Sequence, residues 1–429
     1  HEHGGYFIVD GMEKVVLSQE RKAENKLYVL PSKDDLYDFS AHVKSIPKED
    51  FLYAKTTFVH MMSKNKAISV AVTYLKKGNK SFDVPLFAFF RALGIESDEE
   101  ILKYILCDLD SDKSKYFTEL LRPSIEEAEQ LGIYDQMSAL TFLERYPDKV
   151  SDELERGGGE MKRNRLTRLS FLYDAIYKSL FPHVGDSFAK KAYYLGYVVN
   201  ELLHVATGLK QPTDRDSWRY KRIDLSGFLL ANLFRDRVMK LSWTVRTQVE
   251  TKYEFAHGDF SNENFIHIIN ETNLHEFFDY NIIEKGFKDA FKIGEITRKK
   301  GLIQSIQRLS NYWLISYLRR VNTPDDMGLG TRIPLGQRLL HGTQYGLFCI
   351  AETPDGSNIG IKKHLTIMTH VTFGSNGNRI EQFIKENGLL SVEDLHPTQT
   401  VGKTKVFING DWIGVHENPE YLVKLLRNM

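Results

Sequence analysis

Leu318-Arg319-Arg320-Val321-Asn322-Thr323-Pro324 opens the stretch on which the reading of this chain turns. An acidic, glycine-containing tip follows, Asp325-Asp326-Met327-Gly328-Leu329-Gly330. The chain returns through Thr331-Arg332 and Gln337-Arg338, then runs through Gln344-Tyr345-Gly346-Leu347-Phe348-Cys349-Ile350-Ala351-Glu352-Thr353-Pro354-Asp355-Gly356 to Gly360. Two basic clusters thus flank a glycine-containing tip, and a carboxylate, Glu352, is expected on a tight turn just beyond. Upstream, Ile303, Ile306, Leu309, Trp313 and Leu318 recur as an apolar stripe that predicts a helix carrying Gln304 and Arg308. Thr323-Pro324 should stop it, because a residue before proline is pushed out of the helical region. Such a helix would deliver Arg319 and Arg320 to its C-terminal end on a stiff support. Guanidinium groups stay charged and bind phosphate bidentately or stack on bases, which suits a polyanion. The structural alternative is that Arg319 and Arg320 tie down neighbouring acids. Glu352 likewise reads either as a carboxylate that orders basic side chains or as an acceptor for turn amides.

The rest of the chain bounds these readings. At 429 residues it is too long for a single core, and two to four domains are expected. Lys+Arg and Asp+Glu both number 57, so bulk charge draws no nucleic acid and any basic surface must be gathered locally. Cys107 and Cys349 make neither a disulfide framework nor a CxxC pair, which points to a reducing compartment and no structural zinc. No apolar run approaches a membrane span; Val84-Pro85-Leu86-Phe87-Ala88-Phe89-Phe90 is cut by Arg91. No signal peptide is evident, and the start at His1 reads as the interior of a longer polypeptide.

Periodicity gives an α+β chain of several domains, with mixed helices and antiparallel sheets. Tyr6-Phe7-Ile8-Val9-Asp10-Gly11-Met12-Glu13-Lys14-Val15-Val16 reads as a hairpin on an Asp-Gly turn. Residues 26–80 alternate as strands, with a turn at Lys77-Gly78-Asn79-Lys80. From Val84 onward Phe87, Phe90, Leu93, Ile101, Leu102, Ile105 and Leu106 recur at helical spacing, and further helices are expected around 126–129 and 139–143. Gly157-Gly158-Gly159 reads as a loop or helix break, and Lys162 to Arg168 as a solvated helix face rather than a binding patch. Lys190 to Leu203 should be a mostly buried helix, and Leu229 to about Val249 another. Between them, Asp214 to Gly227 interleaves acids and bases so densely that a salt-bridge network tying domains together is the preferred reading over a ligand site.

One motif argues for a different class. His257-Gly258-Asp259-Phe260-Ser261-Asn262-Glu263-Asn264 has the HGDxxxxN shape of a phosphotransferase catalytic loop, with Asp259 as base, Asn264 as metal ligand and Asp279 as a second ligand. That chemistry also requires a glycine-rich phosphate loop and an upstream strand lysine, and neither occurs between His1 and Phe255. A third class is a non-catalytic module that docks transcription factors.

Several blocks, in order, resemble the second-largest (β-like) subunits of multisubunit DNA-directed RNA polymerases, in their eukaryotic, archaeal or large-DNA-virus form. They are Gly4 to Val15 with Gln19-Glu20-Arg21; Phe89 to Ile95; Phe181-Pro182-His183-Val184 with Lys191 to Tyr197; Asp214-Arg215-Asp216 with Lys221 to Gly227; the Leu318–Gly360 stretch; and Phe407 to His416. Ile350, Gln344 and Tyr345 depart from the family's usual Pro, His and Trp.

The resemblance implies a protrusion in two parts (1–26 and 228–286), a lobe inserted into it (27–227), a fork (287–363) and the start of an external domain (364–429). It implies a part in DNA-templated RNA synthesis, forming the DNA cleft and a fork near the active centre. Arg319, Arg320, Arg332, Gln337, Arg338, Glu352, Gln304 and Arg308 would lie near nucleic acid or the active centre, the loop helping to hold template and non-template strands apart. No catalytic residue or metal ligand is expected in this chain, which alone would be inactive; Mg2+ would be held mainly by the largest subunit. The implied partners are the largest and other polymerase subunits, both DNA strands, the RNA–DNA hybrid, ribonucleoside triphosphates and transcription factors, with no membrane. The implied location is the nucleus for a cellular eukaryotic member, and the cytoplasm or virion for a viral one.

Overall fold

The computed structural model describes residues 4–47, 54–77, 80–144, 165–255, 268–270, 273–279, 281–296, 299–323 and 335–428. The architecture is α+β, with helices and mostly antiparallel sheets in two compact units. One unit comprises His1–Ala23 with Asp216–Thr372, the other Glu24–Arg215 with Phe373–Met429.

The second unit is built on a five-stranded antiparallel meander, Leu27–Pro31, Tyr37–Ser45, Lys55–Met62, Ile68–Lys77 and Lys80–Pro85. Side chains alternate across a strand, so Val29, Ala41, Val43, Val59, Met61, Ile68, Val70 and Val84 all turn to one buried face. The apolar run after Pro85 is the buried helix Leu86–Ala92. Helices Asp98–Leu106, Asp112–Gln130 and Gln136–Leu143 follow the predicted periodicity. Phe188–Ala206 forms the expected core helix; its Gly196 lies so close to helix Asp98–Leu106 that an added Cβ would stand 2.2 Å from the Tyr104 carbonyl oxygen. Trp412 and Val415, from strand Asp411–His416, join the same core. The triple-glycine stretch lies outside the described residues, as does most of the basic run before helix Arg165–Ser179.

The first unit opens on the predicted hairpin. Phe7–Val9 pairs with Met12–Val16 around Asp10 (φ 51°) and Gly11 (φ 74°), the two left-handed residues of a tight two-residue turn. Ile303–Ser305 extends that sheet by pairing with Met12–Val16. The helix expected from Leu229 runs from Ser226 to Phe255. Leu229 and Leu233 pack with Val16, Phe291, Ile296 and Ile303.

The apolar stripe from Ile303 to Leu318 is not one helix. Ile303–Ser305 is a strand, residues 306–310 are irregular, and only Asn311–Leu318 is helical, capped by Ser310 through its Oγ on the Trp313 N–H (3.0 Å). Gln304 therefore sits on a strand and Arg308 in a connection. The helix also ends five residues before Thr323. Arg320-Val321-Asn322 is drawn into a sheet, whose hydrogen bonds outweigh one further helical turn. Most of the stripe is still at least partly buried, Ile303 in one cluster and Ile306, Trp313, Tyr317 and Leu318 in another, while Leu309 in the irregular connection is exposed, so spacing alone did not separate a broken element from a continuous one.

Candidate nucleic-acid interface

A four-stranded sheet gathers residues far apart in sequence. Its order is Lys362–His364, Arg320–Asn322, Ser18–Lys22, Lys221–Asp224. Arg320 stands opposite His364 and Val321 opposite Lys363; Val321 runs parallel beside Ser18; Glu20 faces Ile223 and Arg21 faces Arg222. Alternation then sends Val321, Lys363, Glu20 and Lys221 to one face, and Arg320, Lys362, His364 and Arg21 to the other.

The first face is closed by charge. Glu20 is 5% exposed and takes Lys221 Nζ at 2.6 Å and Lys363 Nζ at 2.8 Å. Lys363 also donates to Thr323 Oγ1 (3.1 Å), and the Thr323 hydroxyl donates to Glu20 (3.2 Å). Burial opposes ionisation of Glu20, but the ammonium groups of Lys363 and Lys221 outweigh it and hold its carboxyl below the usual range. Both ammonium groups also lie over the Trp218 ring, at 5.3 and 6.0 Å, and Trp218 packs on Phe348 at 4.3 Å. Arg21 pairs with Asp224 at 2.5 Å on the opposite face. The Asp214–Gly227 run therefore does enter a salt-bridge network, anchored on Glu20, but these pairs lie within the first unit and leave the expected tie between domains unsupported.

The second face carries Arg320, one of the residues expected near nucleic acid, with Arg319 just ahead of its strand. Arg319 caps helix Asn311–Leu318 and donates through Nη2 to the Thr366 carbonyl. Arg320 lies over the Tyr317 ring, 4.5 Å from its centroid. Neither guanidinium meets a carboxylate among the described residues, and the Nε of each is buried without a partner. Lys362 is held below the usual lysine range by burial and then by the neighbouring charge of Arg320. Glu352 lies in the irregular segment before the short 3-10 turn Gly356–Asn358, not on the turn itself. It accepts from the Ser316 hydroxyl and stands 3.2 Å from His364 Nδ1, so its partners are side chains rather than turn amides. His364 is pushed below the usual imidazole range chiefly by burial, with Arg320 acting the same way and the Glu352 carboxylate and Ser316 carbonyl opposing.

The other expected residues separate. Arg338, in the short helix Leu335–Arg338, donates to the carbonyls of Ser357 (2.5 Å) and Ile359 (3.3 Å). Gly360 (φ 71°) permits this approach, since a Cβ there would stand 2.0 Å from the Arg338 carbonyl oxygen. Gln337 lies half-buried in the same helix. Gln304 accepts from the Tyr317 hydroxyl and donates to the Gly301 carbonyl. Arg308 is engaged bidentately by Glu13 at 2.8 and 2.9 Å and lies over the Tyr6 ring. Arg332 lies outside the described residues, as does the HGDxxxxN motif with Asp259 and Asn264. Asp279 accepts from the Asn281 N–H (3.0 Å) at the start of helix Asn281–Ile293.

Sequence reasoning missed Lys362, Lys363 and His364 as site residues. The signal was present: three consecutive basic-type residues follow directly on Ile361. Among the described residues no group of three or more His, Cys, Asp or Glu side chains is arranged to hold a metal ion, so the donor set for Mg2+ does not fit here. No described helix is long and apolar enough to cross a membrane.

Comparison with known proteins agrees with this geometry. Residues 52–224 match the family model described as RNA polymerase Rpb2, domain 2, and residues 304–371 match RNA polymerase Rpb2, domain 3. The chain is 33% identical over its whole length to DNA-directed RNA polymerase II subunit RPB2 of Encephalitozoon cuniculi, covering 35% of that protein. It is also 33% identical over its whole length to DNA-directed RNA polymerase II subunit 2 of Arabidopsis thaliana, covering 34% of it. DNA-directed RNA polymerase subunit 2 of Acanthamoeba polyphaga mimivirus is 30% identical over 97% of the chain and 34% of that protein. The chain thus spans about a third of the length of the curated relatives it matches. With two successive domains of that family matched and similarity running the whole length of the chain, it belongs to the family of second-largest subunits of DNA-directed RNA polymerases.

Proposed function

We propose that this chain forms part of the DNA cleft and the fork region of a DNA-directed RNA polymerase, where Arg319 and Arg320 face nucleic acid beside the active centre. The observation that carries the reading is the face on which Arg320 and Lys362 set two cations close together, and neither Arg319 nor Arg320 is matched by a carboxylate among the described residues. Like charges held together cost stability unless an anion completes them, and a phosphate backbone supplies one without any reading of base sequence. Arg332, Gln337 and Arg338 belong to the same reading as the returning side of the loop, and Glu352 as the carboxylate facing the nucleotide path. Arg308, engaged by Glu13, fits a structural tie better than a nucleic-acid contact.

The domain reading extends this. The first family match, 52–224, falls within the expected lobe (27–227), and the second, 304–371, overlaps the expected fork (287–363), which supports both assignments. The chain's own contribution is positional and electrostatic; Mg2+ and the phosphoryl-transfer carboxylates are assigned to the largest subunit, with other subunits, both DNA strands, the RNA–DNA hybrid, ribonucleoside triphosphates and transcription factors as partners. The location follows the parent, nuclear in a cellular eukaryote and cytoplasmic or virion-borne in a large DNA virus.

The test is elongation by assembled polymerase carrying Arg320→Gln in the full-length subunit. Elongation should slow, and the dependence of template affinity on salt should lose about one phosphate contact's worth of slope. Arg308→Ala should leave both readouts unchanged. Wild-type rates for Arg320→Gln at every salt concentration would overturn the reading.

A further inference from the structure

Glu352 is half-exposed, and a carboxylate on an irregular segment needs an anchor if it is to act at a fixed place. Two side chains from separate elements supply one. Ser316, from helix Asn311–Leu318, donates its hydroxyl to Glu352 Oε1. His364, at the end of strand Lys362–His364, brings Nδ1 to 3.2 Å from the same oxygen, 3.2 Å from the Ser316 carbonyl and 3.1 Å from the Ser316 hydroxyl. Facing a carboxylate and a carbonyl, Nδ1 must carry the ring proton. The imidazole is almost wholly buried, is paired across the sheet with Arg320 and has little freedom to turn. A helix, a strand and the Glu352 segment therefore meet at one nitrogen.

We propose that His364 is a positioning residue for Glu352, fixing its carboxylate toward the nucleotide path through the Nδ1–H donor; this rests on the reading of Glu352 given above. Two consequences separate it from ordinary structural support. First, the effect of losing His364 must travel through Glu352. Second, a residue that offers an N–H at the place of Nδ1 should substitute, and Asn does so, whereas Leu fills the space without a donor.

The experiment is a double-mutant cycle in polymerase assembled with the full-length subunit, reading kcat and KM for ribonucleoside triphosphate. Glu352→Ala and His364→Leu should each alter the kinetics by a similar factor, of about three- to tenfold given the sensitivity of catalysis to small misplacements. The pair together should do no more than Glu352→Ala alone, and His364→Asn should stay within about twofold of wild type. Two results would overturn the inference: multiplicative effects of Glu352→Ala and His364→Leu, or a His364→Asn enzyme as impaired as His364→Leu. If Glu352→Ala changes nothing, the reading of Glu352 itself fails. If Glu352→Ala is impaired and His364→Leu is not, only the positioning role fails.

Discussion

Replacing Glu20 by Gln keeps the shape of the side chain and an acceptor for Thr323, but removes the charge shared by Lys221 and Lys363. The contacts are 2.6 and 2.8 Å, and all three side chains are only 6–7% exposed, so water cannot take over the role of the carboxylate. Removing one partner of a buried ion pair leaves an uncompensated charge and typically costs about 3–5 kcal/mol. Lys363 sits opposite Val321, and Thr323 follows that strand directly, so the loss should appear as easier opening of Arg320–Asn322. At the lower figure, amide exchange there should quicken about a hundredfold, since ~1.4 kcal/mol is a factor of ten. Hydrogen exchange read by mass spectrometry on assembled polymerase, in peptides spanning 318–323 and 361–365, provides the assay. Glu20→Gln combined with Lys221→Met should recover only part of the protection, because one of the two unpaired ammonium groups is gone while Lys363 stays buried without its carboxylate. Acid gives a second handle. The carboxyl of Glu20 is held below its unfolded value, so its contribution is complete above about pH 4.5 and fades as pH falls through the folded value; in Glu20→Gln that loss should vanish. Exchange within about threefold of wild type in the single variant would refute the claim that this carboxylate anchors the strand.

Gly196→Ala should destabilise the helical half of the second unit by about 3 kcal/mol, because the new Cβ would stand 2.2 Å from the Tyr104 backbone oxygen and a helix must shift; denaturant midpoints of the full-length subunit check this. His60 stacks on Tyr37 at 4.1 Å, and burial pushes it below the usual imidazole range against the pull of Asp83 and Asp34. Its unfolded form therefore takes up a proton first: stability is complete above about pH 6.5 and falls as pH drops through the folded value. His60→Phe should flatten that part of the unfolding profile between pH 7.5 and 5.5, and an unchanged slope would count against it.

Local chemistry was legible without coordinates wherever neighbours in sequence decide the conformation. Asp10-Gly11 admits left-handed backbone at both positions and so makes the hairpin turn; the alternation from Leu27 to Met62 permits one apolar face; the spacing within Phe188–Ala206 yields one buried helix. The interleaved charges of Asp214–Gly227 announced ion pairs because burying them alone would be too costly. Their central partner was not legible. Glu20 lies about 200 residues from Lys221 and more than 300 from Lys363, and only strand pairing brings the three together. The same holds for Glu352, Ser316 and His364, which share no local pattern. The stripe from Ile303 to Leu318 shows the limit most directly: apolar spacing satisfied a helix, but hydrogen bonds to Val16 at one end and to Ser18 and His364 at the other made strands of its flanks. Periodicity records which residues avoid water. Which backbone partner each segment finds is decided by the remainder of the chain.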